Sequence, residues 1–393
     1  MKVIQINATC GTGSIGKICL EVSKLLTKKG IENYVFYSLG KSDYPQAIKY
    51  CREPIRQLQA FCEKFLGMYG FGAKITTRYL LKELDRIKPD IVHIHNIHSH
   101  DCDFGLLFKY IQIHKIKAYW TFHDCWAFTA YCPYFDMAKC DKWKTSCESC
   151  SIHNNFSWLF DRSRKLYKLK VSALKEVDIT IITPSRWIGV HTSKSFLSNK
   201  EIKVINNGID LDVFKPTLSN IRERLKCKDK FIILGVANVW EARKGLDVFM
   251  RLSSDLDNNY QIILVGTTKE IDRRLPANII SIHKTENQKQ LAELYSASYL
   301  FVLPTLEENF PTVNIEALAC GTPVLTYDTG GSGEIIDDTC GAVVPQGDYQ
   351  ALLDAVYYIT RNKPYDSHSC VARASIFRNI DKYNEYINLY CNC

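Results

Sequence analysis

The sequence predicts an α/β protein of two Rossmann-like domains, each built on a parallel sheet. Three observations predict it. At 393 residues the chain is long enough for two domains that each bury a sizeable core. It opens on an apolar strand, Lys2–Asn7, followed by a glycine-rich turn and an amphipathic helix expected over 17–29. From Phe231 a second series of short apolar strands begins, at 232–236, 261–265, 279–282 and 300–303, with helical stretches between them.

Composition narrows the class. A hydrophobic content of 46% with 23% charged residues is ordinary for a globular protein. No apolar run reaches the ~18 residues that a membrane-spanning helix needs. Met1 leads straight into a strand without a signal-peptide core, so the expected location is the cytoplasm. Most of the 16 cysteines are scattered and read as small buried hydrophobes. Residues 1–190 carry 28 Lys and Arg against 17 Asp and Glu, a surplus that points to an anionic partner or a lysine-rich solvated surface.

In chain order, Gly11, Gly13 and Gly16 form G-x-G-x-x-G between the first strand and helix, the dinucleotide-binding spacing. An acidic residue should then end the next strand to hold a ribose. That strand ends in Tyr37-Ser-Leu-Gly-Lys41 instead, which argues against NAD. Gly11, Gly13 and Ser14 are left as a loop suited to approach a phosphate or sugar. Residues 42–88 read as mostly helical. The strand ending in His93-Ile-His95-Asn96 is followed by His98 and His100; without carboxylate partners, a polar edge is favoured over a metal site. A further strand at 118–122 ends in His123, either a core histidine or one facing a ligand.

Residues 125–155 show no secondary-structure signal. They hold Cys132, Cys140, Cys147 and Cys150, spaced C-x7-C-x6-C-x2-C, and the closing C-x2-C suits structural zinc, with reduced thiols or disulfides as alternatives. A basic amphipathic helix expected over 158–174 suits either an anionic membrane face or an ordinary surface.

The most informative stretch runs from Glu307 to Ser332. Glu308 and Glu316 stand eight residues apart, the first in a strand-to-helix loop and the second about two turns into the helix. Asn309, Phe310 and Pro311 lie between, and Pro311 suits the first turn. The N–H groups of a helix start, near Thr312 and Val313, seat phosphate. A carboxylate on each side of that seat suits hydroxyls at both ends of a diphosphate, as in a sugar nucleotide. The bland reading is a solvated acidic loop before a core helix.

The run Glu316-Ala-Leu-Ala-Cys-Gly-Thr-Pro-Val324, with the glycine-rich 329–333 after it, resembles the donor-site signature of family-4 retaining glycosyltransferases ("glycosyltransferase group 1"), with Asn309 where glycine is common. The segments Pro89 to Asn96, His123, Val204 to Asp210 and Arg243-Lys244-Gly245 resemble family elements too. His123-Asp-Cys-Trp126 with the cysteine insertion is similar to a subset found in bacterial surface-polysaccharide clusters. The resemblance implies the GT-B fold: an acceptor domain at 1–190 (insertion 125–155), a donor-nucleotide domain at 191–365 and a tail at 366–393 crossing back, with parallel sheets facing across a cleft. It also implies a retaining hexosyltransferase using a UDP- or GDP-sugar on a saccharide or lipid-linked acceptor. Lys244 and Arg243 would stabilise the departing diphosphate, Glu316 the ribose, Glu308 the hexose, and His123 the donor sugar. The family's usual Gly-Arg pair before this loop is absent. No cofactor is expected for catalysis, zinc would be structural only, an anionic membrane face is a candidate contact, and nucleic acid is not an expected partner. The alternatives are a sugar-nucleotide epimerase of the same architecture, an NAD oxidoreductase, and a non-enzymatic binder of nucleic acid or membrane.

Overall fold

The computed structural model describes residues 1–391 and divides them into two compact units, one of Met1–Ile205 with residues from Tyr383 on, the other Asn206–Lys382. The first unit holds seven strands: β1 (Lys2–Asn7), β2 (Glu32–Tyr37), β3 (Ala47–Lys49), β4 (Ile91–Ile94), β5 (Lys117–Thr121), β6 (Ile179–Thr183) and β7 (Glu201–Val204). All pair in parallel in the order β3-β2-β1-β4-β5-β6-β7. Strands covered on both faces are apolar throughout, and the residues of β4 and β6 are all buried. The helix Gly13–Lys28 buries Ile18, Cys19, Val22 and Leu26. It starts four residues before the expected 17, because Thr12 is extended and already serves as its N-cap residue.

Three expectations are corrected here. The first unit ends at Ile205 rather than 190, since β7 pairs with β6 along Thr180–Thr183. Only residues from Tyr383 on join the first unit, not those from 366. The helix Ser367–Ser375 instead packs on the helix Thr312–Ala319 of the second unit, while Tyr383, Tyr386, Ile387 and Tyr390 are buried with Val3, Val22, Ile91 and Ile182. The basic helix runs Ser163–Leu174, not 158–174. It turns Leu166, Tyr167 and Leu174 into the core, so these apolar residues are not available to a membrane.

The insertion is also more ordered than its sequence suggests. Phe128, Tyr131 and Trp143 are fully buried, the Phe135 and Trp143 rings stack at 4.9 Å, and Tyr167 donates to the Trp143 carbonyl at 3.0 Å. Aromatic burial orders this segment, whose regular elements are two short 3₁₀ turns, Lys142–Lys144 and His153–Asn155.

The second unit holds β8 (Phe231–Val236), β9 (Tyr260–Val265), β10 (Ile279–Ile282), β11 (Leu300–Leu303), β12 (Val324–Tyr327) and β13 (Gly341–Val344), in the parallel order β10-β9-β8-β11-β12-β13. Strand β13, short and opened by glycine, carries no clear sequence signal. Among the described residues no helix is long and apolar enough to cross a membrane.

Candidate functional site

In the second unit the strand order reverses between β8 and β11, which are neighbours although far apart in sequence. Ligands of open parallel sheets bind at the carboxyl ends of strands at such a switch point. Here the loop leaving β8 carries Arg243 and Lys244, and the loop leaving β11 carries Glu307 to Pro311.

The two loops are tied together. Lys244 Nζ donates to Glu308 Oε2 at 2.5 Å, and both side chains are largely buried. The Leu306 N–H donates to the Arg243 carbonyl at 2.7 Å, Thr305 Oγ1 donates to the same carbonyl at 3.0 Å, and Arg243 Nη1 donates to the Glu307 carbonyl at 3.2 Å. Arg243 also pairs with Glu241 at 3.0 Å. Its guanidinium braces the loop, whereas Lys244 places its charge beside Glu308.

The glycine-rich loop closes on the same residue. Gly330 has φ +57°, and a Cβ there would lie 1.8 Å from the Glu308 carbonyl oxygen. The next N–H, of Gly331, donates to the Asn309 carbonyl at 2.6 Å. Gly330→Ala should therefore push the Glu308 loop outward as well as impose ~1–2 kcal/mol of left-handed strain. We expect a lower melting temperature and weaker nucleotide binding; a variant that melts and binds like the parent would show that the loop is not held this way.

The helix Thr312–Ala319 comes next, with Pro311 at its N-cap position, one residue before the expected first turn. A helix start leaves its first N–H groups without intrahelical carbonyls, so those of Thr312 and Val313 can face an anion. Glu316 is half-buried, and the buried Tyr295 hydroxyl donates to its Oε2 at 3.1 Å. Burial first, then the Glu316 charge, pushes the Tyr295 pKa far up, so the phenol stays a donor. Nothing in the sequence marks Tyr295, because an aromatic on an amphipathic helix reads as ordinary core. Phe310 is buried against Phe377, so its ring belongs to the core rather than to a ligand surface.

The first unit carries a separate polar cluster at the carboxyl ends of β4 and β5. The His95 and His123 rings share a hydrogen bond at 3.1 Å, His95 also meets Gln5 Oε1 at 3.3 Å, and His93 bonds Tyr390 and, at 2.8 Å, Thr121. Beside them His98 Nε2 meets Asp124 Oδ2 at 2.9 Å, and His100 meets Glu63 Oε2 at 2.6 Å. Against the expectation of histidines without carboxylate partners, Asp124 pairs with His98 and Glu63 with His100. Burial lowers the His123 pKa to about 4 and His93 to about 3. Burial would raise the Asp124 pKa, but the facing His98, as charge and hydrogen-bond partner, helps bring it below the ordinary carboxyl value. His123, Asp124, His98 and Trp126 line one small cavity, and neutral His123 can exchange hydrogen bonds with a hydroxyl there. Gly11 and Gly13 lie at the start of the first helix with left-handed φ, and Ser14 is exposed in its first turn.

The four insertion cysteines line a second cavity and are all free thiols, with the Ala130 N–H donating to Cys147 Sγ at 3.3 Å. The donor set suits zinc chemically. Among the described residues, however, no group of three or more His, Cys, Asp or Glu is arranged to hold a metal ion.

Comparison with known proteins gives consistent findings. The model described as Glycosyltransferase Family 4 matches residues 15–213, and that described as Glycosyl transferases group 1 matches residues 219–374. The putative colanic acid biosynthesis glycosyl transferase WcaC of Escherichia coli K12 is 21% identical over 373 residues, 90% of this chain and 89% of the relative. A D-inositol 3-phosphate glycosyltransferase of Catenulispora acidiphila is 30% identical over 183 residues, 39% of this chain and 43% of the relative. Sucrose-phosphate synthase from Thermosynechococcus elongatus superposes with a TM-score of 0.72 at 17% identity, covering 100% of this chain and 98% of that one. HepE from Anabaena, solved with UDP-glucose, gives 0.71 at 14% identity over 100% of both chains. These structural likenesses bear out the GT-B fold expected from the resemblance.

Proposed function

This chain belongs to glycosyltransferase family 4, and on that premise we propose that it moves a hexose from a UDP- or GDP-sugar to a saccharide or lipid-linked saccharide, with retention at the anomeric carbon. The observation that carries the proposal is the Lys244–Glu308 pair set beside the helix start of Thr312 and the Glu316–Tyr295 contact. None of these relatives supports the epimerase alternative. The HepE complex with UDP-glucose supports a uridine nucleotide, and the name of the Escherichia coli relative supports a role in polysaccharide synthesis.

In this reading the N–H groups of Thr312 and Val313 take the diphosphate, and Lys244 turns from Glu308 to neutralise the charge that grows on it as the glycosidic bond breaks. Arg243 holds the Lys244 loop to the Glu307 loop and adds its field. Glu316, oriented by Tyr295, accepts hydrogen bonds from the ribose hydroxyls, and Glu308 does so from the hexose. A phosphate oxygen of the leaving group takes the acceptor's proton, so no further base is required. On the first unit, neutral His123 is assigned to a sugar hydroxyl. Because fixed cations meet the diphosphate, turnover should survive EDTA. Structural zinc in the cysteine cavity stands on donor chemistry alone; one equivalent of zinc in the purified chain supports it, and a metal-free chain ends it.

Thermal shift with UDP, GDP, ADP, TDP and NAD tests the donor reading. UDP or GDP should raise the melting temperature of the parent by mass action, about 2.7 kcal/mol at a hundredfold excess over Kd. Glu316→Gln, which keeps an oxygen to accept from the Tyr295 hydroxyl, should lose most of that shift while melting close to the parent without nucleotide. Stabilisation by NAD alone, or by none of the five, would overturn the donor assignment.

A further inference from the structure

The helix Glu53–Leu66 packs inside out. Its buried residues are Gln59 and Glu63, held by polar contacts: Gln59 Nε2 donates to Thr76 Oγ1 at 3.0 Å, and Glu63 accepts from the Gly72 N–H at 3.0 Å and meets His100. Its apolar stripe, Leu58, Phe61, Phe65 and Leu66, faces water, at 58, 54, 44 and 46% exposure. The spacing i, i+3, i+7, i+8 is that of one helix face. A soluble surface helix is built the other way round, so this face is unpartnered rather than merely exposed.

A second element extends the same face. Trp158, Leu159 and Phe160, in the loop before the helix Ser163–Leu174, are 54, 55 and 46% exposed. The Trp158 ring meets Phe61 edge-on at 5.4 Å, and its backbone N–H donates to the Lys64 carbonyl at 2.9 Å. Ser157 and Phe160 bond one another, so the loop holds its aromatic residues outward in a fixed shape. Cations lie on the same stretches of chain. Arg162 sits 5.2 Å from the Phe160 ring centre, Lys64 lies on the helix, and Lys165 and Lys168 are exposed on the next one. Asp161 lies among them, its carboxylate accepting from the Cys150 and Ser163 N–H groups.

We propose that this face is a membrane-docking surface that inserts Trp158, Phe160, Phe61 and Phe65 into the headgroup boundary of an anionic bilayer. Aromatic and leucine side chains beside lysine and arginine are the chemistry that recognises such an interface. A second copy of the chain fits less well, because two such faces would bring the same cations together. The proposal is independent of the transfer site, since vesicle binding needs no turnover.

Co-sedimentation with phosphatidylglycerol/phosphatidylcholine vesicles and with pure phosphatidylcholine vesicles tests it, with light scattering on the same samples. The full chain should pellet with the anionic vesicles, less so at high salt, and stay in solution with the neutral ones. The exposed double variant Phe61→Ser/Trp158→Ser should lose at least tenfold in vesicle affinity while keeping its melting temperature. If that variant failed to fold, Lys165→Ser/Lys168→Ser should weaken anionic binding severalfold. A full chain that stays in solution with anionic vesicles overturns the proposal, as does a folded double variant that pellets equally. Dimerisation abolished by the double variant would also overturn it by assigning the face to a second copy.

Discussion

Replacing Lys244 with alanine should slow sugar transfer by roughly 10²–10³-fold, the usual cost of removing one preorganised charge aimed at a developing anion. In this reading the lysine is stored against Glu308 at 2.5 Å, largely out of water, until a diphosphate competes for it. Its interaction with the leaving group strengthens as the bond breaks, so the loss should fall on kcat more than on KM. Folding should suffer little by comparison. The variant leaves Glu308 without its ion-pair partner, but that carboxylate keeps the Asn309 N–H at 3.1 Å. Lys244→Arg retains charge but not the compact ammonium, and it should recover only part of the rate. Steady-state kinetics with the nucleotide sugar found by thermal shift decides it. An alanine variant within threefold of the parent would falsify the assignment of Lys244 to the leaving group.

The second large effect concerns pH. His93 is fully buried with its pKa lowered to about 3, and His123, partly buried, is lowered to about 4. In the unfolded chain both titrate near 6.5. Between pH 6.5 and about 4 the unfolded state therefore binds protons that the folded state refuses. The stability these neutral histidines contribute is fully present above about 6.5 and is lost as pH falls through that window. Each fully neutral buried histidine costs at most about 1.4 kcal/mol per pH unit there, and His123, closer to water, costs less. Against a total of about 5–15 kcal/mol for a typical domain, two units of acidification should lower the melting temperature sharply. Melting curves from pH 8 to 4 check this, and His93→Gln should flatten the slope. A melting temperature constant down to pH 4.5 would show that the cluster protonates freely in the folded state.

Much of the donor unit was legible because its signals are local. The strands from Phe231 to Leu303 announce themselves as short apolar runs, and the helix Gln288–Ala297 lies where periodicity puts it. The carboxylates at 308 and 316 could be read because loop, helix start and glycine turn succeed one another along the chain. In the first unit the strand ends with His95 and His123 were legible for the same reason. The missed β13 and the misplaced start of the helix Ser163–Leu174 fall where such signals are weak.

By itself, then, the sequence determined the family signature, the two parallel α/β units and the two carboxylates on either side of the helix start at Thr312, because backbone propensity and apolar periodicity are properties of neighbouring residues. Tertiary structure decided the pairings. Lys244 meets Glu308 across 64 residues because β8 and β11 lie side by side, and His98 finds Asp124 because β4 and β5 do. It also decided which way the helix Glu53–Leu66 faces. Periodicity reveals an apolar stripe but not its orientation. Buried partners for Gln59 and Glu63, supplied by Thr76, Gly72 and His100, hold the polar side inward and leave Phe61 and Phe65 exposed to water.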